Sequence, residues 1–170
     1  QELGGNVAIR ARQGGGDVDA AFAMADHVVK QKYDSQRVAP APLETRGIIA
    51  DYDPSGDSLT VWNSTQAPHR VRDYLAETLH RPADSIRVVA PDVGGSFGMK
   101  DCIYSEDVLV PYLSLMLKRP VKWVESRQEN MLAYHGRGQT LDMEMAFKKN
   151  GTILGMRVRV VCDTGAYFLL

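Results

Sequence analysis

Three glycines fall within one short loop, at positions 94, 95 and 98, directly after the apolar run from Ile86 to Ala90. The run predicts a short, fully buried strand, and a helix is predicted to follow the loop. Glycine allows positive φ and carries no Cβ that would hold a ligand away from the backbone. Because α/β proteins bind ligands at the carboxyl ends of strands, the loop is a candidate binding site. The alternative is a plain strand-to-helix turn.

Two phosphate-binding motifs can be compared with this loop. A P-loop requires G-x-x-x-x-G-K-[ST], but Met99 occupies its second glycine position and Asp101 its hydroxyl position. The dinucleotide motif G-x-G-x-x-G comes closer, yet Val93 replaces its first glycine. The best helix cap, Ser105, lies well beyond the loop, and Glu125 lies too far on to be the ribose-binding acid. Neither phosphate motif is therefore favoured.

Other reactive side chains are scattered along the chain. Cys102 and Cys162 form neither a disulfide framework nor a ligand cluster, and we interpret both as small core residues. The histidines lack metal-ligand spacing and are interpreted as structural or surface residues: His27, His69, His80 and His135. We therefore expect no direct metal ligand in this chain.

Composition limits the class of protein. The 170 residues match one ordinary domain, with 44% apolar and 24% charged residues. A net charge of −1 without a basic stripe argues against a nucleic-acid surface. No apolar run approaches the roughly 20 residues of a membrane span, so no membrane partner is expected.

The remaining patterns predict the elements that must position the loop. Helices are predicted over residues 17–26, 64–80, 105–117 and 127–134, and strands over 28–33, 47–52, 58–63, 86–90, 120–125, 141–147 and 154–160. Hairpins interleaved with helices indicate an α+β fold, with a mixed sheet, β-hairpins and packing helices. We expect one such sheet, in one domain cut from a larger subunit.

Caps and faces of three helices follow from local patterns. Asp17 is predicted to cap the first helix, and Ser64 or Thr65 the second. Pro111 predicts a kink or a late start in the helix that Ser105 caps. Two sets of residues are predicted to face inward: Val71, Tyr74, Leu75, Thr78 and Leu79 in the second helix, and Val108, Leu109, Leu113 and Met116 in the third.

The last two strands carry the most specific pairing signal. Asn150-Gly151 predicts a two-residue hairpin loop, which would place Lys149 opposite Thr152 and Phe147 opposite Leu154. The same count yields apolar and opposite-charge pairs along both strands: Met145 with Met156, Met143 with Val158, Leu141 with Val160, Glu144 with Arg157, and Asp142 with Arg159.

Several blocks together resemble one enzyme family. Gly94-Gly-Ser-Phe-Gly-Met-Lys100 is similar to the Gly-Gly-[Gly/Ser]-Phe-Gly-x-Lys loop of the large subunit of molybdenum hydroxylases, the xanthine dehydrogenase, aldehyde oxidase and carbon monoxide dehydrogenase relatives. Further blocks resemble that family in its order: residues 16–22, 42–47, 64–68, 119–123 and 163–167. The resemblance covers nearly the whole chain.

The resemblance implies roles for seven residues in and near the loop and at the helix start. Gln66 matches the glutamine whose amide reaches a molybdenum oxygen, and an amide N–H suits that role because it donates without titrating. Asp101 matches an acid that contacts substrate in some relatives, with a surface acid as the alternative. The cofactor-binding set that the resemblance implies is Gln66, Gly94, Gly95, Ser96, Phe97 and Gly98. From the residues alone, the favoured interpretation of Gln66 is a helix-start residue that bonds to backbone. Because Gln66 and the 94–98 loop each follow a strand and precede a helix, we expect their strands to be parallel and both to lie at the same edge of the sheet.

The resemblance also implies what lies outside the chain. The catalytic glutamate and most pterin-binding segments would follow residue 170, so no catalytic residue is assigned here and the isolated piece should be inactive. The cofactor would be molybdopterin or its cytosine dinucleotide, acting on an aldehyde, N-heterocycle or similar small substrate. FAD and iron–sulfur clusters would be bound by partner subunits or domains. The expected location of the protein is the cytoplasm, with the periplasm as the alternative.

We divide the chain into a glycine-rich lead, residues 1–16, and part of the cofactor-binding domain, residues 17–170. The apolar end Ala166-Tyr-Phe-Leu-Leu170 suggests a piece of a longer chain. The competing hypothesis is a stand-alone nucleotide-binding or assembly module that uses the 94–98 loop.

Overall fold

A computed structural model describes residues 5–165. Their helices and strands form an α+β fold, as predicted, but they divide between two sheets instead of one. The chain separates into two compact units: residues up to Arg37 with those from Arg137 onward, and the segment Val38–Gly136. No helix among residues 5–165 is long and apolar enough to cross a membrane.

The first unit contains one helix and a three-stranded sheet. Its elements are α1 (Val18–Ala23), β1 (His27–Val38), β6 (Gly136–Phe147) and β7 (Ile153–Cys162), with strand order β1-β6-β7. Asp17 caps α1 as predicted, since its Oδ1 accepts from the Ala20 N–H at 2.9 Å. The helix packs on β7 at Gly155, where a Cβ would lie 3.0 Å from that of Ala21.

The β6–β7 hairpin confirms the predicted register over most of its length but not at the turn. The confirmed pairs are Leu141/Val160, Asp142/Arg159, Met143/Val158, Glu144/Arg157 and Met145/Met156. The predicted two-residue loop is wrong: Lys148 N–H donates to Thr152 O at 2.8 Å, so the loop has three residues. Phe147 therefore pairs with Ile153, and a β-bulge at Leu154 restores the register beyond it.

The second unit is built on a four-stranded mixed sheet, with the order β4-β3-β2-β5. Its strands are β2 (Gly47–Asp53), β3 (Ser58–Asn63), β4 (Ile86–Val89) and β5 (Val121–Val124), and its helices are α2 (Pro68–Thr78), α3 (Ser105–Leu117) and α4 (Arg127–Ala133). Alternate residues of β2 and β3 form the core with α2 and α3: Ile48, Ala50, Leu59, Val61, Val71, Leu75, Ile86 and Val110.

Three local predictions fail in this unit. The strand before the glycine loop is not fully buried, because β4 is an edge strand and Arg87 is exposed. Helix α2 begins at Pro68 after the N-cap Ala67, so neither Ser64 nor Thr65 caps it. Proline suits a first helical turn because the N–H that it lacks would have no intrahelical partner. Tyr74 and Thr78 of α2 are exposed, not inward.

Helix α3 buries a different face from the one predicted. It begins at Ser105 after the N-cap Tyr104, so Ser105 does not cap it and the late start suggested by Pro111 does not occur. Its buried residues are Asp107, Val110, Pro111 and Ser114, whereas Leu109, Leu113 and Met116 are exposed. Asp107 accepts from Asn63 Nδ2 at 2.7 Å, and Ser114 Oγ accepts from Tyr52 N–H at 3.0 Å. These buried hydrogen bonds fix the rotation of α3 about its own axis. As a result Asp107 and Ser114 are buried, and most of the predicted apolar face is exposed.

Neither cysteine is fully buried. Cys162 is exposed at the end of β7, so the interpretation as a core residue is wrong there, and Cys102 is half-buried. Burial and the neighbouring Asp101 raise the pKa of the Cys102 thiol, which keeps it protonated at neutral pH and weakly nucleophilic.

Candidate functional site

The glycine loop and Gln66 meet at one edge of the second sheet. Strands β3 and β4 pair in parallel, with Leu59 opposite Ile86 and Trp62 opposite Val89, so their carboxyl ends lie together. Gln66 follows β3 and the loop follows β4. The backbone N–H of Gln66 donates to Lys100 O at 3.0 Å. The predicted juxtaposition is therefore confirmed, while the cofactor role of these residues stays a prediction.

The loop backbone takes the left-handed conformation at three positions. Gly95 has φ +91° and Gly98 has φ +93°, which glycine adopts without steric cost. Phe97 also has positive φ, +56°, and its side chain is 63% exposed. A non-glycine residue in this region is strained, and such strain is concentrated at functional sites. Ser96 keeps negative φ, as the serine-bearing loop requires.

Glu44 ties the loop to the sheet through one oxygen. Its Oε2 accepts from Lys100 Nζ at 2.6 Å, from Gly94 N–H at 2.8 Å and from Ser64 Oγ at 2.8 Å. Burial opposes ionisation, but these three donors outweigh it and lower the pKa of the Glu44 carboxyl, so it is a carboxylate at neutral pH. A Cβ at Gly94 would lie 2.6 Å from that of Glu44, so only glycine fits there.

Lys100 connects this anchor to Gln66. Its side chain is fully buried, at 0% exposure, and its ammonium is paired with Glu44. Its carbonyl accepts from the Gln66 N–H and from Thr65 Oγ1, and its own N–H donates to Ser96 Oγ at 3.0 Å. A buried charge is tolerated because it is paired. Every polar group of Lys100 thus holds part of the site in place.

The outward groups of the site are hydrogen-bond donors. Gln66 Oε1 accepts from the Ser96 hydroxyl, and Gln66 Nε2 donates to no acceptor among residues 5–165. The backbone N–H groups of Ser96, Phe97 and Gly98 likewise have no acceptor within the described part of the chain. A Cβ at Gly98 would meet nothing within 4 Å, so that side of the loop is open. Consecutive free N–H groups of this kind bind anionic or oxygen-rich ligands.

A second buried cluster, which the sequence did not reveal, supports the residue after the loop. Met99 is buried, and its Sδ accepts from Asn130 Nδ2 at 3.2 Å. Asn130 also donates to Glu125 Oε2 at 2.7 Å, and Arg46 donates to Glu125 Oε1 through two nitrogens. The Arg46 guanidinium lies 3.7 Å from the centre of the Tyr104 ring. Glu125 is thus an internal ion-pair partner and not a ribose-binding acid.

Comparison with known proteins identifies the family of the chain. The family model described as the molybdopterin cofactor-binding domain matches residues 1–170. The chain belongs to this molybdopterin cofactor-binding family. It is 46% identical to the nicotine 6-hydroxylase large subunit of Paenarthrobacter nicotinovorans and 44% identical to the carbon monoxide dehydrogenase large chain of Hydrogenophaga pseudoflava. These alignments cover 96% and 91% of this chain and 20% of each relative.

Solved structures of the family agree as well. Quinoline 2-oxidoreductase from Pseudomonas putida 86 matches with a TM-score of 0.66 and 40% identity, over 89% of this chain and 19% of that one. Carbon monoxide dehydrogenase from Oligotropha carboxidovorans matches with a TM-score of 0.64 and 39% identity, over 85% of this chain and 18% of that one. The chain therefore spans about a fifth of the length of the molybdenum-family relatives that it matches.

The side chain of Asp101 makes no hydrogen bond to the other predicted site residues. Its carboxylate is 44% exposed and pairs with Arg70 Nη1 at 3.2 Å. Arg70 Nη1 also donates to the Asp101 backbone oxygen at 3.0 Å. The Asp101 carboxylate is therefore engaged in an ion pair with Arg70, and it accepts no hydrogen bond from Gln66 or from residues 96–98. Among residues 5–165, no group of three or more His, Cys, Asp or Glu side chains is arranged to hold a metal.

Proposed function

We propose that this chain forms one wall of the molybdenum–pterin site in the large subunit of a molybdenum hydroxylase. The observation that carries the proposal is the donor cluster: Gln66 Nε2 and the free N–H groups of residues 96–98 stand at one sheet edge. The family membership of the whole chain supports the same role.

The residues fit such a group chemically. A molybdenum–pterin cofactor is rich in oxygen and carries negative charge, and when bound it supplies the redox chemistry of oxidative hydroxylation. The cluster offers donors only, since Gln66 Oε1 is already bonded to Ser96. The nearby positive charge of Lys100 is neutralised by Glu44 and buried. Amide and backbone donors do not titrate, so they hold an oxygen ligand in the same way across the physiological pH range.

Three residues of the cofactor-binding set have distinct tasks in this proposal. Gln66 donates through Nε2 and orients the ligand. Gly98 leaves room for close approach, because among residues 5–165 no atom beyond its two chain neighbours lies within 4 Å of the position that a Cβ would take. Phe97 covers the open side with an exposed ring and excludes water, which strengthens the hydrogen bonds beneath it. Asp101, held by Arg70, is a candidate for substrate contact only if that ion pair opens.

The stand-alone nucleotide-binding module is not favoured. A helix that binds a phosphate begins at the glycines, so that its N-terminal N–H groups meet the anion. Here the loop runs into a single 3₁₀ turn, Met99–Asp101, and α3 begins only at Ser105. The family match over residues 1–170 leaves no separate module to explain.

The proposal extends to the parent protein. The chain matches relatives whose names include "large subunit" and "large chain", and it spans about a fifth of their length. We propose that the remainder of the large subunit supplies the catalytic glutamate and most pterin contacts. Partner subunits would carry FAD and iron–sulfur clusters. The reaction would be oxidative hydroxylation of an aldehyde, N-heterocycle or similar small substrate.

The test compares two glycines that share a backbone conformation but differ in place. Gly98 has φ +93° and Gly151 has φ +87°, and a Cβ at either meets nothing within 4 Å. Alanine at each position costs about 1–2 kcal/mol in backbone strain. In the protein that carries this chain, Gly98→Ala should lower bound molybdenum at least tenfold, because its Cβ enters the cofactor space. Gly151→Ala, in the β6–β7 turn, should retain the wild-type metal content.

Metal content by mass spectrometry and pterin content by fluorescence provide the two measurements. Wild-type protein without molybdenum would overturn the proposed function. So would equal molybdenum retention in the Gly98→Ala and Gly151→Ala proteins, since the loop would then lie away from the cofactor.

A further inference from the structure

The hydroxyl of Ser96 has two neighbours at the site. Its Oγ accepts the Lys100 N–H at 3.0 Å, so its single proton is left for a different partner. That partner is Gln66 Oε1. A serine hydroxyl has one proton to donate, and a glutamine amide has one oxygen that accepts and one nitrogen that donates. The hydroxyl proton therefore favours the orientation in which Oε1 of the Gln66 amide faces the loop and Nε2 faces outward.

We propose that Ser96 is a positioning residue that keeps the Gln66 amide in its donor orientation, with Nε2 presented to the ligand. The inference rests on the proposed function for the nature of that ligand, an oxygen of the molybdenum–pterin group. It goes beyond that function because it assigns the control of Gln66 to a side chain that does not itself need to touch the ligand.

The two residues are held relative to each other by Lys100. The backbone N–H of Gln66 donates to Lys100 O, and the Lys100 N–H donates to Ser96 Oγ. Lys100 is in turn fixed by Glu44, which also holds Gly94 at the start of the loop. The distance between Ser96 and Gln66 is thus set by three anchored backbone segments, and the hydroxyl bond can form without ordering any mobile part of the chain.

Loss of the hydroxyl removes the discrimination between the two amide orientations. Gln66 is exposed, so its side chain is not held by packing. A rotated amide would present Oε1 to an oxygen ligand, and two acceptors facing each other repel. A hydrogen bond of ordinary net strength shifts such an equilibrium by about fivefold. Without Ser96 Oγ, the donor orientation should lose about that factor in population.

The experiment uses the purified protein that carries this chain, as wild type and as four variants. Ser96→Ala and Ser96→Gly remove the hydroxyl, and glycine is the alternative residue in the loop pattern, so this second variant guards against misfolding. Ser96→Thr keeps the hydroxyl. Ser85→Ala is the matched control: the Ser85 hydroxyl likewise donates to one oxygen, Pro82 O at 2.7 Å, but Ser85 precedes β4 instead of following it.

Three readouts are collected for each protein: molybdenum content, the Gln66 rotamer in neutron crystal structures, which distinguish the amide nitrogen from the oxygen, and the electron paramagnetic resonance spectrum of the partly reduced metal. Wild type, Ser96→Thr and Ser85→Ala should show one Gln66 rotamer with Oε1 on the residue-96 side. Ser96→Ala and Ser96→Gly should show that rotamer reduced about fivefold relative to its alternatives. Their metal spectra should shift, and the threonine variant should restore the wild-type spectrum.

The outcomes separate the two proposals. If the alanine and glycine variants keep the wild-type rotamer and spectrum, or if threonine fails to restore them, Ser96 does not position Gln66. If wild-type protein contains no molybdenum, the proposed function fails. The crystallographic comparison then still decides whether Ser96 orients Gln66, because that readout does not depend on the metal.

Discussion

Replacement of Glu44 by glutamine tests whether the buried charge pair anchors the loop. Glu44 accepts all three of its hydrogen bonds through Oε2, so a glutamine oxygen can occupy the same place. Glu44→Gln therefore removes the negative charge while it preserves shape and hydrogen-bond geometry. The ammonium of Lys100, at 0% side-chain exposure, would then be buried without a counter-charge.

The expected magnitude follows from this geometry. Removing one partner of a fully buried ion pair costs about 3–5 kcal/mol. The Glu44 side chain is 40% exposed, which screens the pair, so we expect about 2–3 kcal/mol.

Urea unfolding followed by tryptophan fluorescence measures this effect in the correct unit. The chain has two tryptophans, Trp62 and Trp123, and both lie in the Val38–Gly136 unit. The exposed pair Arg72–Asp73, with side chains 39% and 62% exposed, is the matched control. Asp73→Asn should cost at most about 1 kcal/mol.

The double variant Glu44→Gln with Lys100→Met should recover most of the loss, since an apolar side chain needs no counter-charge. The reasoning is refuted if Glu44→Gln costs no more than Asp73→Asn. It is also refuted if the double variant recovers none of the loss, because the buried ammonium would then not be its cause.

Three further predictions follow from the same contacts. Gly94→Ala should destabilise the Val38–Gly136 unit by at least about 2 kcal/mol in the urea assay, because its Cβ would lie 2.6 Å from that of Glu44; Gly14→Ala, with nothing within 4 Å, should be neutral. Burial opposes ionisation of Glu125, but hydrogen bonds from Arg46 and Asn130 lower the pKa of its carboxyl. The stabilisation that the Glu125 carboxylate gives the folded state is therefore full above the ordinary pKa of about 4.5 and is lost as pH falls through the lowered value. Glu125→Gln should make the free energy of unfolding less dependent on pH in this acid range. The isolated 170-residue chain should retain no molybdenum after incubation with released cofactor and desalting, since it offers one amide side chain and a few loop N–H groups; stoichiometric retention would contradict this.

Much of the fold follows from local patterns in the sequence. Alternating apolar residues predict β2, β3, β6 and β7, because side chains of a strand point alternately to its two faces. Counting outward from Asn150-Gly151 predicts five β6–β7 pairs that the structure contains, in which apolar residues meet on one face and opposite charges on the other. Within this hairpin only the turn was predicted wrongly. The three-residue loop and the bulge at Leu154 each displace the register by one residue, in opposite directions, so the two displacements cancel in the rest of the hairpin.

Part of the candidate site also follows from sequence. Glycines 94, 95 and 98 mark the loop, and the parallel arrangement expected for strands that precede helices predicts that Gln66 lies beside it. Both expectations depend on chain order and local residue type, which a sequence states directly.

Tertiary structure alone decided which polar groups are buried together. Nothing in the local pattern around Lys100 indicates that its ammonium is enclosed and paired with Glu44, 56 positions away. Likewise, the apolar stripe of α3 predicts the wrong face, because Asp107 and Ser114 find partners in β3 and β2. The physical reason is the same in both cases. Burying apolar surface is non-directional and can be read from periodicity, whereas a buried polar group is stable only if a specific distant partner satisfies it.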